Sequence, residues 1–135
     1  MNNKITTDML PAFQGVIPAT LATASKDGIP NVTYISQVYY IDEARVAISH
    51  QFFNKSRKNI EENPFFTIAL TCPETASLWK IDVQYIEGQK EGEVFDEMDM
   101  VITAIGSMYG DKNPFKLQSA VICRVLSIKS IFKNE

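Results

Sequence analysis

Residues 15–49, "GVIPATLATASKDGIPNVTYISQVYYIDEARVAIS", decide the fold. Ile17, Ala19, Leu21 and Thr23 fall on one side of an extended run, and "KDG" at 26–28 is a turn signal. A β-branched and aromatic run follows from Asn31 to Tyr40. A second turn is expected at "IDEA", 41–44, and a third extended run from Arg45 to Ser49. The pattern predicts a three-stranded meander.

The flanking sequence extends it. "FFTIALT", 65–71, is a short apolar run that suits a strand buried on both faces, ended by Pro73. In "SLWKIDVQYIEG", 77–88, Trp79, Ile81, Val83 and Tyr85 alternate with Lys80, Asp82 and Gln84, the period of a half-buried antiparallel strand. The period then changes. Val94, Met98, Val101 and Ile105 recur at helical spacing with Phe95 and Ile102 beside them; Glu91 and Glu93 favour the positive end of that helix, and Gly106 or Gly110 can close it. "DKNPFKLQ", 111–118, reads as a loop and "AVICRVLSIKSIF", 120–132, as the last strand, with Arg124 a polar interruption. The expectation is one mainly β domain over 1–135: a six-stranded antiparallel split barrel with two helices, one short and one longer.

Composition narrows the function. The chain has 135 residues, 13 Lys and Arg against 16 Asp and Glu, and a formal net charge of −3, so no global basic field attracts nucleic acid. No apolar run reaches the roughly 18 residues that cross a bilayer, and the N-terminus lacks a signal-peptide pattern. Cys72 and Cys123 show no CxxC spacing and His50 is the only histidine, so no metal site is expected. Two reduced, buried thiols in a cytoplasmic protein follow.

Against this acidic balance, "HQFFNKSRKNIEENP", 50–64, gathers Lys55, Arg57 and Lys58 within four residues. Asn54 can cap a short helix over about Lys55 to Glu62, Ile60 is its apolar anchor, and Asn63-Pro64 stops it. Two readings stand side by side. The cations pair with Glu61 and Glu62 at i+4 spacing, or Lys55, Ser56 and the free backbone N–H groups of the first turn hold an anion.

The order of these features resembles the pyridoxamine 5'-phosphate oxidase-like flavin-binding split-barrel family over about Gly15 to Ile128. It is carried by "VIPATLATAS", "DGIPNVTYIS" and above all "NKS..NIEENP". The resemblance implies flavin mononucleotide (FMN) as cofactor, its phosphate held at Lys55 and Ser56, with Ser49 near the phosphate or ribityl chain. The ring would lie along Thr33, Ile35, Ser36 and Gln37, and Asn31 and Asn59 are further candidates. Family members typically bind flavin at a homodimer interface; Trp79 would then either cover the ring from a partner subunit or fill the core. Tyr34 and Tyr39 or Tyr40 stand between the same two roles. The basic residues and C-terminal segment that grip substrate in the true oxidase have no counterpart here, so that particular activity is not expected. An FMN-dependent oxidoreductase acting on a small molecule is the leading expectation. The alternative is a flavin- or haem-binding sensor or carrier, since some split barrels take haem or a deazaflavin; His50 would be the sole imidazole available as an axial ligand.

Overall fold

A computed structural model describes residues 3–13, 17–35, 37–50, 54–108 and 116–132, with the side chains of Asn54, Lys55 and Ile105 outside the description. Among the described residues it contains β1 (Ala19–Ala24), β2 (Pro30–Ile35), β3 (Val38–Asp42), β4 (Arg45–His50), α1 (Asn54–Glu62), β5 (Phe65–Thr71), β6 (Leu78–Gln89), α2 (Glu93–Gly106) and β7 (Ser119–Phe132). A 3-10 segment, Thr7–Phe13, precedes them and buries Met9, Ala12 and Phe13.

Seven strands, not six, form one antiparallel sheet in the order β2-β1-β5-β6-β7-β4-β3. The extra strand comes from the run Asn31–Tyr40, which breaks after Ile35 into β2 and β3. That break sets the architecture. β2 and β3 lie at opposite ends of the sheet order, yet Ile35 and Val38 are three residues apart and at most roughly 10–11 Å. The sheet must therefore roll up until its two edges nearly meet, giving a barrel split at the β2/β3 seam. A single straight strand would have left the sheet open.

The turns follow their sequence signals. Gly28 adopts φ 84°, and the Ser25 hydroxyl accepts from the N–H of Ile29 at 3.1 Å. In the next turn the Asp42 carboxylate accepts from the Ala44 N–H and the Arg45 Nε at 2.9 and 3.0 Å.

The barrel interior is filled by Leu21, Ile35, Val46, Ile48, Ile68, Trp79, Ile81, Val83 and Val125, with Ile60 of α1 closing one end. A second apolar cluster lies outside the sheet, where Met98 and Ile102 of α2 cover Ala47, Ala120 and Ile122. β4 over Val46–His50 and β7 over Ser119–Cys123 are consequently buried on both faces. β5, expected in that role, alternates: Phe66, Ile68 and Leu70 point inward while Phe65 is exposed, because no element covers its outer face. There the Thr67 and Ser127 hydroxyls donate to Asp82 at 2.7 and 3.0 Å, a polar row spanning three strands. Of the expected α2 stripe, Val94, Phe95, Met98 and Ile102 join the second apolar cluster and Val101 is half-buried, while the Ile105 side chain lies outside the description; Met100 is exposed. Cys72 and Cys123 are both free and buried, and burial pushes the Cys123 thiol up.

Candidate functional site

A helix of nine residues barely forms alone, and α1 has one strong apolar anchor, so its position must come from contacts with the barrel. Three polar contacts supply it, each to a different strand. The Asn31 side-chain amide on β2 donates to the Ser56 hydroxyl at 2.8 Å. Asn59 Nδ2 donates to the Thr23 hydroxyl on β1 at 3.1 Å. Arg57 lies with a terminal guanidinium nitrogen 2.7 Å from His50 Nδ1 at the end of β4. The helix thus bridges strands from both sides of the seam, with Ile60 packed beneath it.

The cationic cluster divides. Arg57 Nε pairs with Glu61 Oε1 at 3.2 Å, as i+4 spacing predicts. Among the described residues Lys58 and Glu62 form no such pair; Lys58 projects from the exposed side of the helix. Arg57 is more than a surface cation, since its second contact reaches a buried imidazole.

Most of the residues singled out in the sequence gather around this helix and the adjoining seam. Ser56 is 1% exposed; its oxygen accepts from Asn31, and its own proton is uncommitted among the described residues. Ser49 is buried, and both its N–H and its hydroxyl donate to the Gln37 carbonyl, at 3.2 and 3.3 Å, tying β4 to the seam. Gln37 is itself buried, and its side-chain oxygen has no partner among the described residues. An unmatched buried amide oxygen costs about 1–3 kcal/mol, which a ligand N–H would relieve. Thr33 is half-buried on the same face of β2 as Asn31.

Other candidates are used differently. The Ile35 side chain belongs to the core, leaving only its backbone for a ligand. Asn59 is buried and occupied in docking the helix on Thr23. Trp79 is buried in the barrel interior, so the core role describes it and the ring-covering role does not. Tyr40 meets Phe13 edge to face at 6.0 Å, while Tyr34 is 73% exposed on the outer face of β2. Ser36 lies outside the described residues, as does the side chain of Lys55, whose backbone is in the first turn of α1.

His50, a lone histidine best read from the sequence as structural, takes its place in this constellation. It is 2% exposed, and its Nδ1 also lies 3.1 Å from the Ser119 hydroxyl. Burial, reinforced by the Arg57 guanidinium, holds its imidazole below the usual histidine range. Nothing in the sequence marks the pair; only the fold shows the two side chains in contact. No group of three or more metal-ligating side chains occurs among the described residues, and no described helix is long and apolar enough to cross a membrane.

The docking of α1 makes a measurable prediction. Asn59→Leu removes the donor to Thr23 and buries that hydroxyl against an apolar group, which should cost about 1–3 kcal/mol in urea unfolding. Lys58→Ala, on the exposed side, should change stability by less than about 0.5 kcal/mol.

Comparison with known proteins places the architecture. The chain is 34% identical over 133 residues to an uncharacterised protein of Methanocaldococcus jannaschii, covering 95% of this chain and 81% of that one. Its fold is similar to that of an FMN-binding protein from Syntrophomonas wolfei, with a TM-score of 0.75, 16% identity, and coverage of 94% of this chain and 88% of that one. It is also similar to HutZ, the haem storage protein of Vibrio cholerae, with a TM-score of 0.57, 19% identity, and coverage of 96% and 97%. At those identities the likeness is one of fold. The family model described as pyridoxamine 5'-phosphate oxidase matches residues 5–124, which include every strand up to the middle of β7 and the whole of the α1 site. On that match, the chain belongs to the pyridoxamine 5'-phosphate oxidase family.

Proposed function

We propose that this protein binds FMN at the α1 end of the seam and works as a flavin-dependent oxidoreductase on a small molecule. Two polar groups support the reading: the Ser56 hydroxyl in the first turn of α1, which accepts from Asn31 of β2, and the unmatched, buried side-chain oxygen of Gln37, whose backbone carbonyl holds Ser49 of β4. Ser56, Lys55 and the first-turn N–H groups would take the phosphate. Gln37, Thr33 and the β2 backbone would meet the polar edge of the ring, and Ser49 would fix the strand beside it. When bound, the flavin supplies hydride or electron transfer, chemistry that needs no dedicated protein base.

The haem alternative is less well supported. Its one available imidazole, His50, is 2% exposed, so a porphyrin could reach it only if the residues around it moved. A homodimer fits the outer surface. Val32 and Tyr34 are 64% and 73% exposed on the uncovered face of β2, the strand that also carries Asn31 and Thr33. A second copy seated there would bury apolar area. Free thiols accord with a reducing, cytoplasmic setting.

The absorbance spectrum of the purified protein, before and after incubation with FMN, tests the reading. The expected result is oxidised-flavin bands that remain with the protein through gel filtration. A colourless protein that does not retain FMN would sink the flavin assignment, and a Soret band would replace it with haem. Turnover with a reduced nicotinamide cofactor and an electron acceptor would distinguish an enzyme from a carrier.

A further inference from the structure

We propose that His50 is a positioning residue for the phosphate end of the site: as a neutral acceptor it fixes Arg57, and through Arg57 the first turn of α1. The inference rests on the flavin reading above and adds a pH dependence to it.

Bond polarity sets the geometry. A guanidinium has only donors, so at 2.7 Å from Arg57 the His50 Nδ1 must present its lone pair. The proton of the neutral ring is therefore on Nε2. Arg57 is held from its other side by Glu61, at 3.2 Å from Nε, and is the residue next to Ser56. The imidazole thus ties the first turn of the helix to the end of β4, where Ser119 of β7 lies 3.1 Å from the same nitrogen.

Protonating Nδ1 would set an N–H against the guanidinium and put two cations in contact. The charged groups acting on the ring are Arg57 and Glu61 from α1 and Lys90 just beyond β6; Ser119 on β7 is uncharged. Two cations face one carboxylate, and with burial they favour the neutral ring. The unfolded chain, and any state in which α1 has swung away, takes up the proton first as pH falls. The clamp is therefore complete above about pH 6.5, the ordinary histidine value, and weakens as pH falls through the lowered folded value. FMN affinity should fall in the same window. The ligand phosphate also titrates near pH 6, so the two contributions must be separated.

Two measurements on the untagged full chain do so. His50 is the only histidine, so ¹⁵N-histidine labelling gives one imidazole. Its spectrum should show the Nε2–H tautomer and a pKa below 6.5, rising in Arg57→Gln. FMN titrations from pH 8 to 5 should then show affinity falling more steeply for wild type than for His50→Asn, whose side-chain oxygen remains an acceptor throughout. The excess should be roughly tenfold for each unit by which the ring's pKa differs between free and loaded protein. Arg57→Gln, which removes the opposing cation, should flatten the profile similarly and serves if His50→Asn folds poorly. Wild-type and variant profiles that superimpose would overturn the proposal, leaving only phosphate titration, and so would an Nδ1–H tautomer. Wild type that binds no FMN even at pH 8 would overturn the flavin reading and the positioning role with it. In that case the imidazole spectrum would still show whether the His50–Arg57 contact exists.

Discussion

Leu21→Ala will lower the unfolding free energy by about 2–5 kcal/mol, the largest stability loss expected from any single truncation considered for this chain. Leu21 is 0% exposed at the middle of β1, opposite Thr33 of β2 and Ile68 of β5. Removing its side chain deletes apolar contacts and leaves a void that neighbours on both sides are poorly placed to fill. Each belongs to a hydrogen-bonded strand whose register fixes it. A domain of this size has a total stability of about 5–15 kcal/mol, so the variant should unfold at markedly lower urea concentration or not accumulate as folded protein. Val32→Ala, one strand over but 64% exposed, should lie within about 0.5 kcal/mol of wild type in the monomer. Similar losses for both would mean that the barrel interior is packed differently from this arrangement.

The contrast between Leu21 and Val32 shows what was legible in the sequence. Alternation named the inward residues of β1 and β6, because a strand with one covered face records that fact with a period of two, although Ile17, on the same side of the run, lies before β1 and is exposed. The break between Ile35 and Val38 was not legible. No glycine or proline marks the seam, and the polar pair Ser36-Gln37, the one interruption of the β-branched and aromatic run, is too weak a signal alone to end a strand; the strand divides because a rolled sheet cannot remain straight across its own opening. β5 misled for a related reason. "FFTIALT" is apolar throughout, but a run's hydrophobicity does not reveal whether another element covers its outer face, and α2 covers β4 and β7 instead.

The candidate site divides along the same line. The span of α1, its Ile60 anchor and the Arg57–Glu61 pair are local, and local spacing found them. The contacts Asn31–Ser56, Asn59–Thr23 and Ser119–His50 join residues 25, 36 and 69 positions apart, so only the fold could supply them. They also change the meaning of individual residues. Asn59, first a ligand candidate, is a fastening for the helix, and Arg57 is half surface cation and half buried partner of His50.

On the proposed FMN assignment, Lys55→Ala will weaken FMN binding roughly tenfold to a hundredfold, while Lys58→Ala will weaken it about twofold or less. Losing a charge-assisted hydrogen bond to a phosphate costs about 1.5–3 kcal/mol, and each 1.4 kcal/mol is a factor of ten in affinity. Lys55 lies in the first turn of α1 beside Ser56, where an ammonium is unfavourable next to the positive helix end unless an anion neutralises both. Lys58 lies on the exposed side, so it can act on the ligand only through a solvent-screened field. Raising the ionic strength sharpens the comparison. Salt should erase the small Lys58 effect and leave most of the Lys55 effect, because a direct contact is screened far less than a distant charge. Equal losses for the two variants, both abolished by salt, would show that the cluster attracts the cofactor by general charge alone. The first turn of α1 would then lose its claim to be the phosphate grip.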